Sequence, residues 1–307
     1  HTWEGNKGYF YRLKVSQKPY IETVFPAVVK KGKAAQHIVY GRNLPGGKKT
    51  GEVINGGSIE SVAVEIQASM TNDDLLLDGS RPLLGFFDGI NYRFKGSNAF
   101  RLAFTENDSV MEREQDADIP VKIPCEILGQ FNKEEDIDRY RFSAKKGDKI
   151  WLEIFADRQF SKSDPFIVVE KISKDKSAKE TSKELKSLDD YKKVKTQGMY
   201  DIHTYDNGME IDIDADGDYR IIVGDNFVKH GVLHHYRVHL SHSKPDFQML
   251  TFVEQFHCYG DLRTTVYPGA LQLRPEGILP IRVRACRKGG RDLPIELRVE
   301  GLPEGVK

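Results

Sequence analysis

The stretch "DIDADGDYRIIV" (212–223) places Asp212, Asp214 and Asp216 on alternate positions, followed by Gly217. Calcium takes six to eight oxygen ligands, and alternating carboxylates ahead of a glycine turn begin an EF-hand-type loop. The second half does not continue that chemistry. With Asp212 as the first position, the ninth is Arg220, a cation, and the twelfth is Val223, where a bidentate glutamate is needed. "YRIIV" alternates as a strand does, whereas a calcium loop of this type leads into a helix. The stretch is read as a turn at Gly217 before a strand whose core face is Tyr219, Ile221 and Val223.

Five of the nine histidines fall in "KHGVLHHYRVHLSHS" (229–243). His230/His234 and His235/His239 are i, i+4 pairs, which on a helix would each suit one zinc ion. The alternation of Tyr236, Val238 and Leu240 predicts a strand, where the same spacing separates Cα atoms by about 13 Å. These histidines are read as the solvated face of that strand; His203 and His230 are a pair that folding could still bring together. Asp136 and Asp138 would share a strand face about 7 Å apart, within the range of a glycosidase carboxylate pair. No sugar-stacking cleft accompanies them or Glu134/Glu135. G-x-S-x-G, H-E-x-x-H and G-x-G-x-x-G are absent. "GRNLPGGKKT" (41–50) fails as a phosphate loop, because Gly47 stands where the lysine belongs. No catalytic residue is assigned.

The elements that would position these groups are strands. "PIELRVEG" (294–301) puts Ile295, Leu297 and Val299 on one face and predicts a half-buried antiparallel strand. "DRYRFSAKKGDKIWLEIF" (138–155) reads as two strands joined at "AKKGDK", and "YRIIV" and "HHYRVHLS" repeat the pattern. Glycine-rich turns follow at short intervals, so the fold class is all-β, a tandem of β-sandwich modules. Residues 171–197 hold nine lysines and five acids and are read as a solvated insertion, with one helical turn around Glu184–Leu188. "YFYRLKVSQKP" (9–19) is echoed by "HHYRVHLSHSKP" (234–245), which predicts a repeating two-part unit.

A chain of 307 residues calls for two or three domains. Its 46 basic and 46 acidic residues balance, which argues against a general nucleic-acid binder or an anionic membrane surface as partner. No apolar run is long enough to span a bilayer. Cys125, Cys258 and Cys286 form no C-x-x-C; Cys258 and Cys286 are the pair close in sequence, and the cysteines are read as small buried hydrophobes. The chain begins mid-pattern, without a signal peptide, and reads as a piece of a longer protein.

Residues 104–243 resemble the bacterial pre-peptidase C-terminal domain family. The resemblance rests on "ENDS" (106–109), "ILGQF" (127–131), "DIDRYRFSAKKG" (136–147), "ADGDYRIIV" (215–223) and "YRVHLS" (236–241). Residues 19–103 resemble immunoglobulin-like modules of the IPT/TIG type through "VFPAVVKKGKAAQHIVYGRNLPGG", and 244–307 resemble a further such module through "PIELRVEGLPEGV". Residues 1–18 would then be the last strand of a preceding module. The resemblance implies β-sandwiches, a jelly-roll-like central one among them, without catalysis of their own, in an extracytoplasmic protein: periplasmic, surface-displayed or secreted. It also implies a structural role for Asp136 or Asp138, capping the turn at the strand's start. Some members bind calcium through the opening acidic stretch, which here would be Glu106, Asn107 and Asp108, joined by Asp136 or Asp138.

The function expected is that of a non-catalytic spacer, docking or assembly segment working through protein–protein contacts, including self-assembly. The loop at 44–58 and the lysine-rich insertion are its exposed segments. The alternative is an accessory module of a secreted hydrolase that binds a glycan or fibrous protein, with Tyr191, Tyr200 and Tyr205 as aromatic candidates.

Overall fold

Alternating apolar side chains without helical periodicity leave strands as the means of burying a core, and strands are what form. The computed structural model describes residues 15–68, 89–114, 117–189, 206–255, 265–266, 273–289 and 293–306. Among them there is no α-helix, and none is long and apolar enough to cross a membrane.

The first sandwich contains β1 (Tyr20–Phe25), β2 (Val28–Lys30), β3 (Ala34–Arg42), β4 (Lys48–Ile54), β5 (Gly57–Gln67), β6 (Gly89–Tyr92) and β7 (Phe100–Thr105). One sheet runs β1-β3-β5-β4 and the other β2-β7-β6. Val24, Val39, Ile66 and Leu102 lie in the core between them. Asn55 and Gly56 both adopt positive φ (49° and 76°), the two-residue turn that suits the twist of the β4–β5 hairpin.

The central sandwich contains β8 (Asp108–Met111), β9 (Ile119–Pro120), β10 (Cys125–Gln130), β11 (Ile137–Ala144), β12 (Lys149–Phe155), β13 (Pro165–Lys174), β14 (Glu180–Leu188), β15 (Gly208–Asp212), β16 (Gly217–Asp225) and β17 (His235–His242). Its sheets run β15-β12-β17-β10-β8 and β14-β13-β16-β11-β9. Ile127, Leu152 and Val238 of the first sheet meet Tyr140, Phe142, Tyr219 and Ile221 of the second. The two strands read from "DRYRFSAKKGDKIWLEIF" are β11 and β12, and they enter opposite sheets: β11 pairs with β16, β12 with β17 and β15.

Two expectations are corrected. Glu184–Leu188 is not a helical turn but part of β14, paired antiparallel with β13 from Ile167↔Leu188 to Lys174↔Glu180. Asp175 closes this lysine-rich hairpin by accepting the backbone N–H of Ser177 (2.8 Å) and Lys179 (2.9 Å). An existing strand edge at β13 outweighs the weak helical pattern. "PIELRVEG" forms no ladder among the described residues, and Leu297 and Val299 are exposed. Its neighbourhood holds β18 (Asp246–Gln255), β19 (Thr265–Val266) and β20 (Ile281–Lys288), in the order β19-β18-β20. Alternation fixes which side chains share a face; it does not supply the partner edge a strand needs.

The first sandwich packs on the outer face of the β15-β12-β17-β10-β8 sheet. Thr23 Oγ1 and His235 Nε2 are 2.7 Å apart, and the Phe25 and His235 rings are 5.9 Å apart. Gln159 Nε2 donates to Ala27 O (2.9 Å), and Val28 and Ala103 cluster with Leu128. Glu52, from the loop region read as exposed, accepts the N–H of Val232 (2.8 Å). His235 is therefore buried rather than on a solvated face, and burial pushes its pKa down to about 3, so the imidazole is neutral.

Candidate functional sites on the central sandwich

The three aspartates of "DIDADGDYRIIV" point at three different partners. Asp212 pairs with Lys149 Nζ (2.9 Å), Asp214 with Lys171 Nζ (3.0 Å), and Asp216 accepts the N–H of Lys146 (2.7 Å). The lysine hydrogen bonds hold the Asp212 and Asp214 carboxyls below the usual aspartate range. Tyr219 donates its hydroxyl to Ala215 O (2.6 Å), closing the turn before β16. Two acids of this run thus set counter-charges beside the sandwich's lysines, Lys171 of the β13–β14 hairpin among them, which weakens any reading of the hairpin as a free basic patch.

The residues proposed for calcium fall into two groups. Asp108, 90% exposed, pairs with Lys30 Nζ (2.8 Å). Glu106 is exposed, and Asn107 donates its side-chain amide to Glu126 Oε1 (3.4 Å) and its backbone N–H to Thr105 Oγ1 (3.0 Å). Asp136 instead accepts the N–H of Asn132 (2.8 Å), and Asp138 accepts the Tyr236 hydroxyl (2.6 Å). Their acidic neighbours are Glu112 and Glu114, which follow the end of β8. Asn132 Nδ2 donates to Glu112 (2.9 Å) and Glu114 (3.2 Å), and Glu112 also accepts the N–H of Gln130. Burial, then the charge of Asp138, push Glu112 up to about 8; burial pushes Asp138 up to about 6 against the hydrogen bond from Tyr236. The Lys133 ammonium sits 2.5 Å from Glu114 and 3.6 Å from Asp136. Among the described residues, no three of His, Cys, Asp or Glu converge as a metal shell. Glu106–Asp108 and Asp136/Asp138 thus have separate hydrogen-bond and ion-pair partners.

Tyr236 is the pivot of this end. Its fully buried ring lies over Gly129, and its hydroxyl is 2.7 Å from that of Tyr140. A Cβ on Gly129 would lie 2.2 Å from Tyr236 Cζ, so the glycine of "ILGQF" makes room for the ring.

The outer face of the β15-β12-β17-β10-β8 sheet carries charges that are nonetheless buried. Asp206, wholly buried, accepts the N–H groups of Ala156 (2.6 Å), Asp157 (2.8 Å) and Arg158 (3.0 Å) at a 3₁₀ turn, and Arg158 Nε as well (2.7 Å). Arg158 also reaches Glu153 (2.8 Å). The guanidiniums of Arg158 and Arg237 lie 4.0 and 3.8 Å over the Phe155 ring. Arg237 stands 3.6 Å from Glu126, which accepts Thr105 Oγ1 (2.9 Å) and meets His239 Nδ1 (2.9 Å). Burial pushes Glu126 up, but His239 and Arg237 outweigh it and its pKa is lowered. His239 Nε2 is in turn 3.1 Å from Ser241 Oγ.

Sequence reasoning missed Glu112, Glu114, Glu126 and the two arginines. The "MERE" alternation was a local signal for the first pair; Glu126 and Arg237 had none, since they face each other from over a hundred residues apart in the chain. His230 is exposed, while His203, Tyr191, Tyr200, Tyr205 and Cys258 lie outside the described residues, as does the Cys286 side chain. Cys125 is buried in β10, and burial pushes its thiol up to about 12.

No protein-family model matches the chain, and no curated protein matches it. Solved structures similar to parts of it include the pre-peptidase C-terminal domain of a Bacillus anthracis collagenase, at 9% identity over 42% of this chain and 99% of that one, with a TM-score of 0.27. A periplasmic inhibitor of g-type lysozyme from Aeromonas hydrophila is similar at 16% identity over 41% of this chain and 100% of that one, TM-score 0.24. Tripeptidyl peptidase 2 is similar at 9% identity over 75% of this chain and 22% of that one, TM-score 0.24. Likenesses at these identities and TM-scores assign no function.

Proposed function

We propose that the chain is a non-catalytic structural and docking segment of a larger extracytoplasmic protein, acting through protein–protein contacts. The observation that carries this reading is the buried joint between the two sandwiches. Thr23, Phe25, Ala27 and Val28 are committed to His235, Gln159 and Leu128, so the pair behaves as one stiff body rather than two beads on a linker. Stiffness suits a spacer, because it fixes the direction in which neighbouring parts are held. The motifs of the central sandwich add support: the glycine of "ILGQF" makes room for the Tyr236 ring, and Asp136 accepts a backbone N–H before β11, in keeping with the turn-capping role the pre-peptidase resemblance implies. The β13–β14 hairpin projects from the sheet edge and is the segment offered for contact, its lysines guarding the edge against indiscriminate strand pairing.

The test is structural and functional together. Small-angle scattering of residues 19–243 should fit a single rigid body, and shortening the hairpin between Ser173 and Thr181 should weaken assembly of the parent protein while the melting curve stays put. A scattering profile of two independently tumbling domains would refute the spacer, and unimpaired assembly would refute the hairpin as the contact. The alternative, an accessory module for glycan or fibrous protein, needs a shared aromatic face. Among the described residues, the exposed aromatics Tyr20, Phe227 and Phe247 sit on separate elements.

A further inference from the structure

The His239 ring is bracketed by two side-chain oxygens on the outer face of the sheet. Nδ1 is 2.9 Å from Glu126 Oε1, and Nε2 is 3.1 Å from Ser241 Oγ. Strand register builds the arrangement: Glu126 stands opposite His239 across the β10–β17 pair, and Ser241, two residues on, shares the face. Glu126 Oε1 also accepts from the Thr105 hydroxyl (2.9 Å) and the Asn107 amide (3.4 Å), the surroundings of an ionised carboxylate. An ionised carboxylate only accepts, so Nδ1 carries the ring proton. In the neutral imidazole with Nδ1 protonated, Nε2 presents a lone pair, and the Ser241 hydroxyl proton has a base to receive it. Hydroxyl, base and orienting carboxylate at these separations are the parts of an activated serine. The group is reachable: the His239 side chain is 28% exposed and Ser241 is half-buried. Trp151 stands opposite Ser241 on β12, half-buried, and offers an apolar wall.

We propose that Ser241 is a nucleophile that accepts an acyl or phosphonyl group from a small activated donor, with His239 as its base and Glu126 as the residue that positions the imidazole. In the step, Ser241 Oγ forms a bond to the carbonyl carbon or phosphorus, and the bond from that atom to the leaving group breaks. The leaving group departs with the electron pair. The hydroxyl proton passes to His239 Nε2 and from there to the leaving group or to water. No oxidant or reductant takes part. The adduct itself is the readout, because its later release by water is a separate step.

The experiment treats the full chain with an excess of a fluorophosphonate probe and follows adduct formation by intact mass and peptide mapping. One adduct is expected, on Ser241, forming about 100-fold faster than on the urea-denatured chain, the lower range of assistance by a positioned base. Ser241→Ala should take up none. His239→Gln, which keeps a polar side chain there, should label at least ~30-fold more slowly with its melting curve unchanged. Absence of the adduct, labelling that survives in Ser241→Ala, or wild-type rates in His239→Gln would overturn the proposal. If His239→Gln is itself destabilised, Ser241→Ala and the denatured control decide. The outcome is separate from the spacer reading, which scattering and hairpin shortening test without reference to this serine.

Discussion

Replacing Gly129 with alanine should be costly out of proportion to one methyl group. The new Cβ would stand 2.2 Å from Tyr236 Cζ and 2.3 Å from its hydroxyl oxygen, against about 3.5–4.0 Å for an unstrained carbon contact. The ring cannot retreat easily: it is fully buried and packs against Phe131 with centroids 5.0 Å apart. Moving it disturbs the hydroxyl bonds to Tyr140 (2.7 Å) and to the Asp138 carboxylate (2.6 Å). Overpacking costs about 1–3 kcal/mol, and losing a hydrogen bond to a charged group adds about 1.5–3 kcal/mol. The lower unfolded-state entropy of alanine returns about 0.4–1 kcal/mol, which leaves a net loss of about 2–5 kcal/mol. For a unit of this size that corresponds to a melting temperature lower by about 10 °C. Urea and thermal unfolding of residues 19–243, followed by the fluorescence of Trp151, would measure it. In a Tyr236→Leu background the same alanine should cost under about 1 kcal/mol, since the clash is gone. A Gly129→Ala protein within about 1 kcal/mol of wild type would refute the claim that this glycine exists to admit the ring.

Further outcomes follow from the buried polar groups. Glu112 holds its proton up to about pH 8 when folded, against 4.5 as its ordinary value, so its contribution is full below pH 4.5 and is lost as pH rises through 8. The stability difference between wild type and Glu112→Gln should therefore shrink by ~2–3 kcal/mol from pH 4.5 to 8, allowing for the carboxyl's partial exposure; a flat difference in urea titrations would count against it. Asp206→Ala removes one of the two carboxylates on the buried Arg158 guanidinium and the acceptor of three amides, and should destabilise by about 3–5 kcal/mol in urea. Thr23→Val leaves the buried His235 nitrogen without its partner and should cost about 1–3 kcal/mol, with loosened inter-sandwich orientation in scattering. Millimolar calcium should leave the melting curves of wild type and Asp108→Ala superimposed, because Asp108 is solvated and paired with Lys30; a calcium shift lost in Asp108→Ala would restore the reading made from sequence.

Much of the central sandwich was legible because period-2 burial is a local property. Tyr140 and Phe142 face the core as their alternation requires, and the turn at "ADGD" precedes β16 as its glycine suggests. What was not legible was anything decided by a distant partner. His235 looks like the neighbour of Arg237 on a wet face, and only the first sandwich, some two hundred residues earlier in the chain, makes that face dry. Glu184–Leu188 became a strand because β13 offered an edge, while "PIELRVEG" had the pattern and finds no partner strand among the described residues. The surroundings of the acidic residues were not legible for a related reason: Asp136 and Asp138 were identified, but which carboxylates stand beside them depends on where β8 lies against β10.

The entry of β11 and β12 into opposite sheets sets an order of assembly. β17, made last of the central sandwich's strands, is inserted between β12 and β10, both synthesised some eighty to a hundred residues earlier. Until residue 235 has emerged, those two strands have no shared neighbour, and Thr23 and Phe25 of the first sandwich have nothing to dock on. Pairing over such separations is intrinsically slow. A chain arrested on the ribosome before β17 would hold a nearly finished first sandwich with its docking surface bare, the state most open to misassembly with a neighbouring nascent copy.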